Sequence, residues 1–145
     1  MSANSRMTIA VHVLTWIALV HGRGRDVVTS DQIATSVATN PVVIRRSLAD
    51  LRKAGLVTVR QGAGAGYTLA RAPESIALLD VFQAVHDEPL FALHRSEPNQ
   101  VCPVGRGIQP ALRHVYTDAE EAFRRELAGV SIADVLRDTL APGSG

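Results

Sequence analysis

The chain offers little sulfur or imidazole chemistry. Cys102 is its only cysteine among 145 residues, so an intramolecular disulfide is impossible and a reducing, cytoplasmic location is expected. Five histidines are present, but no two lie four residues apart and no His-Glu-x-x-His unit occurs. Because that spacing is the usual framework of a hydrolytic metal site, no metal site is expected.

Membrane and secretory signals are also lacking. The apolar stretch at residues 9–20 is followed by Gly-Arg-Gly-Arg rather than by the small residues of a signal-peptide cleavage site. Twelve residues are too few to span a bilayer. Neither a membrane protein nor a secreted protein is expected.

Local catalytic motifs are missing as well. The segment 62–66 alternates glycine with alanine, but it lacks the following helix of a dinucleotide-binding loop and the Lys-Ser/Thr ending of a P-loop. No stretch combines a nucleophile, a base and an orienting acid. We therefore do not expect an enzyme, and a small enzyme whose residues meet only in space is the least favoured alternative.

The small net charge of +1 conceals two oppositely charged halves. Residues 1–75 carry nine basic and four acidic side chains, a net charge of +5, whereas residues 76–145 carry six and ten, a net charge of −4. Such asymmetry indicates a basic part that meets a polyanion and an acidic part with another task. The predicted domains are accordingly 1–75 and 76–145.

Two helices are predicted at the start of the basic half. Residues 6–21 form a pattern that is apolar on nearly all sides, so that helix must be covered on two faces. Ser30 is predicted to cap a second helix at 31–38.

A third helix has clear start and stop signals. Asn40 suits an N-cap, Pro41 suits the first helical position, and Gly55 suits the position after a helix that runs to about Ala54. Ile44, Leu48 and Leu51 define its buried side, and the opposite side is basic.

Two short β-type runs, 56–61 and 67–71, flank the glycine-rich segment and predict a hairpin whose tip needs unusual backbone angles. Three helices followed by a hairpin is the order of a winged helix-turn-helix. The predicted fold class is therefore mainly α, with a small β-hairpin wing and a long C-terminal dimerisation helix.

The basic third helix is the main functional signal, because the second helix of a helix-turn-helix places its N-terminal residues against base edges in the major groove. Arginine can form two hydrogen bonds to one guanine, and valine can contact a thymine methyl group. Phosphates can be held by helix N-termini, basic groups and the wing. The predicted DNA-binding residues are Ser30, Asn40, Val42, Val43, Arg45, Arg46, Lys53, Arg60 and Gln61.

The acidic half is predicted to contain a bridge helix at about 76–86, a sensing loop at 87–107 and a long helix at 108–128. Apolar residues repeat along the long helix at spacings of four and three, which is typical of a coiled-coil seam that needs a partner. The predicted dimerisation residues are Ile108, Leu112, Val115, Ala119 and Ala122. Ser131 resembles the start of a capping box for a short terminal helix, and residues 141–145 are expected to fray.

Three segments together resemble the Rrf-two family of bacterial transcription regulators, which includes an iron–sulfur cluster regulator, a cysteine-metabolism repressor and a nitrite-sensitive repressor. They are residues 41–57, the wing ending Gly-Tyr-Thr-Leu-Ala-Arg at 66–71, and Ile-Ala-Leu-Leu-Asp-Val at 76–81. The resemblance extends from about Arg6 to Leu140. It implies a homodimer joined through the long helix, with the winged domains on successive major grooves.

The resemblance also raises the question of an iron–sulfur cluster. Cluster-binding members place three cysteines before the long helix, whereas this sequence has only Cys102 there. One thiolate is too few for a conventional site, so no cofactor is expected, although His86, His94 or Glu97 could complete an unusual one. Cys102 is either a redox thiol, joining its twin or accepting a reversible oxidative cap, or an inert residue.

The favoured interpretation is a homodimeric transcription regulator, more often a repressor in such families, that binds a palindromic operator in double-stranded DNA. A small-molecule or oxidant effector would act near residues 87–107. The alternative is a winged-helix adaptor that binds proteins and does not read DNA sequence.

Overall fold

A computed structural model describes residues 3–143, so Ser144 and Gly145 of the predicted frayed tail lie outside it. The described residues form six α-helices and one antiparallel pair of strands. In chain order these are α1 (Ala3–Gly22), α2 (Ser30–Val37), α3 (Pro41–Lys53), β1 (Val57–Arg60), β2 (Gly66–Leu69), α4 (Leu78–Val85), α5 (Pro103–Ala128) and α6 (Ile132–Leu140). No helix in this described range is long and apolar enough to cross a membrane.

The helices and strands divide into two compact units. Among the described residues, the winged-helix unit comprises residues 3–87 together with 128–143, and the long-helix unit comprises Glu88–Leu127. The winged-helix unit is discontinuous in sequence because α6 packs on α1. The functional division predicted at residue 75 stays a prediction.

The core of the winged-helix unit is built around α1. Ala10, Val13 and Leu14 are fully buried, and α1 packs against α2, α3, α4 and α6. The prediction that α1, which is apolar on nearly all sides, is covered on two faces is therefore confirmed.

The start of α2 differs from the prediction that Ser30 is its N-cap. Thr29 has the extended backbone of a cap residue, and its hydroxyl oxygen accepts a hydrogen bond from Gln32 N–H at 3.2 Å. The Gln32 side chain in turn accepts from Thr29 N–H at 3.0 Å. Gln32, three positions after Thr29, closes this reciprocal capping box. Ser30 is instead the first residue of the helix.

The predicted caps of α3 are confirmed. Asn40 is the N-cap, Pro41 opens the helix, and Gly55 follows the end with a φ of +77°. Ile44, Leu48 and Leu51 are buried as predicted.

The wing is anchored to a residue that the sequence pattern did not single out. β1 and β2 pair from Val57 opposite Leu69 to Arg60 opposite Gly66. Val28, just before α2, forms an additional antiparallel bridge with Tyr67. A Cβ atom at Gly66 would lie only 2.6 Å from the carbonyl oxygen of Val28, so this close approach requires glycine.

The predicted bridge helix is shorter than expected. Pro73–Ser75 form a 3₁₀ turn, Ile76 and Ala77 are not helical, and α4 begins only at Leu78. Leu78 N–H donates to Val130 O at 2.8 Å and Ile132 N–H donates to Ile76 O at 2.9 Å, so this segment pairs with the residues that precede α6. The predicted capping box at Ser131 is confirmed.

In the long-helix unit, α5 begins at Pro103 rather than at residue 108. Proline needs no acceptor for a missing N–H group in the first turn, and Arg106 N–H donates to Cys102 O at 2.9 Å. The non-helical part of the predicted sensing loop is therefore shorter at its C-terminal side. The Phe91 ring stacks on Tyr116 with centroids 4.7 Å apart, and Gln109 Nε2 donates to His94 O at 3.2 Å. The loop thus folds back on α5.

Candidate nucleic-acid interface

The N-terminal turn of α3 presents the first group of predicted contact residues. The Asn40 side-chain oxygen accepts a hydrogen bond from Val42 N–H at 2.8 Å. This bond uses the oxygen for capping and leaves the amide N–H₂ group of the exposed Asn40 available to an outside partner. Val42 is 45% exposed although it is apolar, so it can contact another apolar group such as a thymine methyl.

The next turn of α3 is strongly basic. Arg45 and Arg46 are exposed, whereas Val43 beside them is half-buried. Within residues 3–143, no carboxylate lies within 4.0 Å of either guanidinium group. Both charges are thus available to phosphates or to guanine edges.

A groove of about 450 Å³ runs beside this basic face and adds a residue that sequence analysis did not assign to the site. Arg6 of α1 lines it together with Val43 and Arg46 of α3. Asp50 also lines the groove and offsets part of the positive charge. The only sequence signal for Arg6 was its place in the basic half of the chain.

The remaining predicted residues lie on other elements or further along α3. Lys53 is exposed at the C-terminal end of α3, and Arg60 and Gln61 are exposed where β1 ends. The wing tip beyond them contains Gly62 and Gly64 with φ of +80° and +73°, which confirms the predicted unusual backbone. Ser30 is half-buried in the first turn of α2. The predicted set is therefore distributed over α2, α3 and the wing.

The predicted dimerisation residues share one long helix. α5 spans 26 residues, none of which is buried. Ile108 is 38% exposed and Val115 is 56% exposed, which is unusual for large aliphatic side chains. Leu112 is half-buried, and Ala119 and Ala122 are exposed.

The residues considered for redox or cluster chemistry do not form a metal site. Cys102 is exposed immediately before α5, and His94 Nδ1 lies 3.0 Å from Ser96 Oγ. His86 stacks on Phe82 with ring centroids 4.7 Å apart, and Glu97 is exposed. In the part of the chain that the structure describes, no three His, Cys, Asp or Glu side chains are grouped to hold a metal ion.

Comparison with known protein families identifies the family to which this chain belongs. The family described as "Rrf2: Iron-dependent Transcriptional regulator" matches residues 3–138. The chain belongs to the Rrf2 family. The likeness expected from residues 41–57, 66–71 and 76–81 is therefore confirmed.

Individual Rrf2 relatives are similar in sequence to almost the full length of this chain. YwnA of Bacillus subtilis, which carries the name of an HTH-type transcriptional regulator, is 42% identical over 134 residues, covering 92% of this chain and 96% of its own. IscR of Cereibacter sphaeroides, named an HTH-type transcriptional regulator, is 30% identical over 142 residues, covering 98% and 91%. The chain is an Rrf2-family transcriptional regulator that binds DNA, and it is not an enzyme.

A solved structure supports the fold. T. potens IscR has a TM-score of 0.71 and 24% identity to this chain, covering 99% of this chain and 93% of its own. The predicted winged helix-turn-helix class is thereby confirmed.

The iron dependence in the Rrf2 family description does not fit the donor set of this chain. Iron–sulfur clusters are held mainly by cysteine thiolates, and this sequence contains one cysteine. The residues of this chain therefore do not form a conventional iron–sulfur site.

Proposed function

We propose that this Rrf2 regulator acts as a homodimeric repressor on a palindromic operator, in the cytoplasm. The observation that carries the proposal is the exposed, unpaired basic face of α3, with Val42, Arg45 and Arg46 at its N-terminal end. A helix-turn-helix dimer binds half-sites separated by about one helical turn of DNA or a multiple of it.

In this proposal, base edges and phosphates are contacted by different residues. The N-cap Asn40 reads bases together with four residues in the N-terminal half of α3, namely Val42, Val43, Arg45 and Arg46. Ser30, Lys53, Arg60 and Gln61 contact the DNA backbone or the minor groove, and Arg6 joins them from the neighbouring groove.

The homodimer is supported by the surface of α5. This 26-residue helix has no buried residue and leaves Ile108 and Val115 exposed to water, and a second copy of the same helix would cover them. Sedimentation equilibrium tests this arrangement. Val115→Glu should dissociate the dimer at least about tenfold more readily, whereas Thr117→Glu, on the other side of α5, should leave it intact.

The signal is proposed to act near residues 87–107. The loop in this range precedes α5 and contacts it through Phe91, Tyr116, His94 and Gln109. An effector or an oxidant that changes these contacts would act on the helix proposed to hold the dimer together. Cys102, exposed at the start of α5, is the proposed oxidant-sensitive group, and no iron–sulfur cluster is required.

Selection of bound sequences from a random DNA pool at physiological salt tests the operator. An enriched palindrome is expected, because regulators bind their specific sites with an affinity about 10³-fold or more above their affinity for non-specific DNA. Arg46→Ala should relax that preference at one base pair of each half-site, whereas Arg124→Ala, which removes an exposed arginine on α5, should leave the preference unchanged. A protein-binding adaptor would instead give weak, salt-sensitive binding with no enriched sequence and no effect of Arg46→Ala.

A further inference from the structure

The winged-helix unit contains a cavity that is lined by none of the predicted DNA-binding residues. It has a volume of about 340 Å³ and is bordered by α1, α2 and α6. Val11 and Leu19 of α1 face it, as do Leu136 and Leu140 of α6, and no Asp, Glu, Lys or Arg among residues 3–143 lines it. The site is thus suited to an uncharged, mainly apolar molecule.

A few polar groups accompany this apolar lining. His12 Nε2 lies 2.9 Å from Ser36 Oγ, which joins α1 to α2 at the edge of the cavity. The hydroxyls of Thr15 and Thr139 donate to backbone oxygens of their own helices, each at 2.7 Å. Such hydroxyls are already satisfied as donors, so they do not require a charged or strongly polar ligand.

Trp16 provides a second, independent observation. It lines the cavity, and its indole N–H group is buried without an acceptor among the described residues. A buried donor without an acceptor is rare in folded proteins and marks a place where a partner is missing. The donor does not itself face the open space of the cavity, and a ligand oxygen would satisfy it where binding turns the indole towards the ligand.

We propose that the cavity binds a small neutral molecule of one or two rings that carries a hydrogen-bond acceptor oxygen. The size follows from comparison with benzene, which fills an apolar cavity of about 150 Å³. The neutral character follows from the lining, and the acceptor from the Trp16 indole and the His12–Ser36 pair.

A ligand bound in the cavity could affect the position of α3, the proposed DNA-binding helix. Ser36 lies in the last turn of α2, and only Ala38, Thr39 and Asn40 separate α2 from α3. A molecule that displaces the His12–Ser36 contact would therefore shift the helix that precedes α3. The binding site stands independently of DNA recognition, but this consequence rests on the proposed function.

Trp16 is the only tryptophan of the chain, so its fluorescence reports on the cavity. The probe is 6-propionyl-2-(dimethylamino)naphthalene, a neutral two-ring dye that carries a ketone oxygen and is excited by energy transfer from tryptophan. We expect saturable, Trp16-sensitised dye emission. Trp16→Phe should abolish the sensitised emission while directly excited dye still reports binding.

A pair of competitors tests the neutral character of the ligand. Methyl benzoate should displace the dye at a concentration about a hundredfold lower than benzoate, which has nearly the same skeleton but carries a charge that is costly to bury. Equal displacement by the two compounds would overturn the assignment of a neutral ligand.

Matched variants on α1 test the location. Val11→Phe fills the cavity and should weaken dye binding at least about tenfold. Ile9→Phe adds the same volume to another half-buried position on α1 that does not line the cavity, and it should leave binding unchanged. Melting temperatures of the two variants show whether both remain folded.

Two results would overturn the proposal. The first is no saturable dye binding by the folded wild-type protein. The second is dye binding only to monomers, with Val11→Phe weakening the dimer, which would assign the cavity to a second copy of the chain. If dye and methyl benzoate bind but operator affinity does not change, the site stands and its coupling to DNA binding is refuted.

Discussion

Val28 and Tyr67 exchange two backbone hydrogen bonds, with Val28 N–H donating to Tyr67 O at 3.0 Å and Tyr67 N–H donating to Val28 O at 2.7 Å. This pair ties the segment before α2 to β2. These two backbone hydrogen bonds therefore link the wing to the helix-turn-helix. A change at the base of the wing should also affect the start of α2.

Gly66→Ala tests that connection. The new methyl group would clash with the carbonyl oxygen of Val28, so we expect a loss of about 1–3 kcal/mol in the free energy of unfolding. Urea denaturation measures the loss. Gly107→Ala is the matched control, because a Cβ atom there meets nothing within 4 Å and α5 should gain about 0.5–1 kcal/mol. Equal stability of Gly66→Ala and the wild type would contradict the close approach.

Thr29→Ala tests the reassigned cap of α2. Loss of the hydroxyl that accepts from Gln32 N–H should cost about 1 kcal/mol of stability. Ser30→Ala should change stability by less than half as much, since Ser30 lies inside the helix. A larger loss of stability in Ser30→Ala than in Thr29→Ala would show that Ser30 is the N-cap, as the sequence alone predicted.

Salt titration of DNA binding separates the proposed phosphate contacts from base contacts. Arg60→Ala should weaken operator and random DNA alike and reduce the slope of log K against log salt by about 1. Arg46→Ala should cost about 1–3 kcal/mol at the operator and relax preference at one base pair. An unchanged salt slope for Arg60→Ala would exclude its phosphate contact.

The pH response of α6 centres on Asp134. The Ser131 N–H group donates to its carboxylate at 2.9 Å, and this bond, aided by the Ser131 hydroxyl and Arg137, lowers the pKa of Asp134. Because the folded-state pKa lies below the unfolded-state pKa, the stabilisation is complete above the ordinary carboxyl pKa. It is lost as the pH falls through the lowered value.

Carboxyl titration by NMR measures this pKa directly. Ser131→Ala should raise the pKa of Asp134 part of the way towards its ordinary value, since the backbone donor remains. Arg137→Ala should raise it less. A larger rise in Arg137→Ala would mean that the ion pair, and not the cap, dominates.

Cys102→Ser tests the proposed oxidant response. Peroxide should change the operator affinity of the wild type and leave that of Cys102→Ser unchanged, because serine cannot form the sulfenic acid or disulfide that the only thiol of the chain can form. A gel-shift titration before and after treatment measures both. If the variant responds like the wild type, the signal does not pass through the thiol.

Local signals were sufficient where a short segment determines its own conformation. Asn40, Pro41 and Gly55 define α3 because each fits a backbone position that few residues tolerate. Thr29 and Ser30 are both good caps, and the choice between them depends on the reach of Gln32. The early start of α5 at Pro103 was obscured by Gly105 and Gly107, which are poor helix formers.

Contacts between distant segments could not be predicted in this way. The Val28 bridge, the pairing of Ile76 with Ile132 and the Arg6 groove each depend on how separate elements pack. The cavity beside Trp16 is also tertiary, since α2 and α6 are about a hundred residues apart. A periodic pattern can identify a buried face of a helix but not the partner that covers it.

The pairing of Ile76 with Ile132 also determines when the protein can finish folding. Ile132 is fully buried in the core that α1 begins, so residues of α1 wait during synthesis for a residue far later in the chain. A nascent chain that stops after α5 would present its unfinished core to chaperones and proteases. Premature termination between α5 and α6 should therefore remove the protein from the cell rather than yield a shortened regulator.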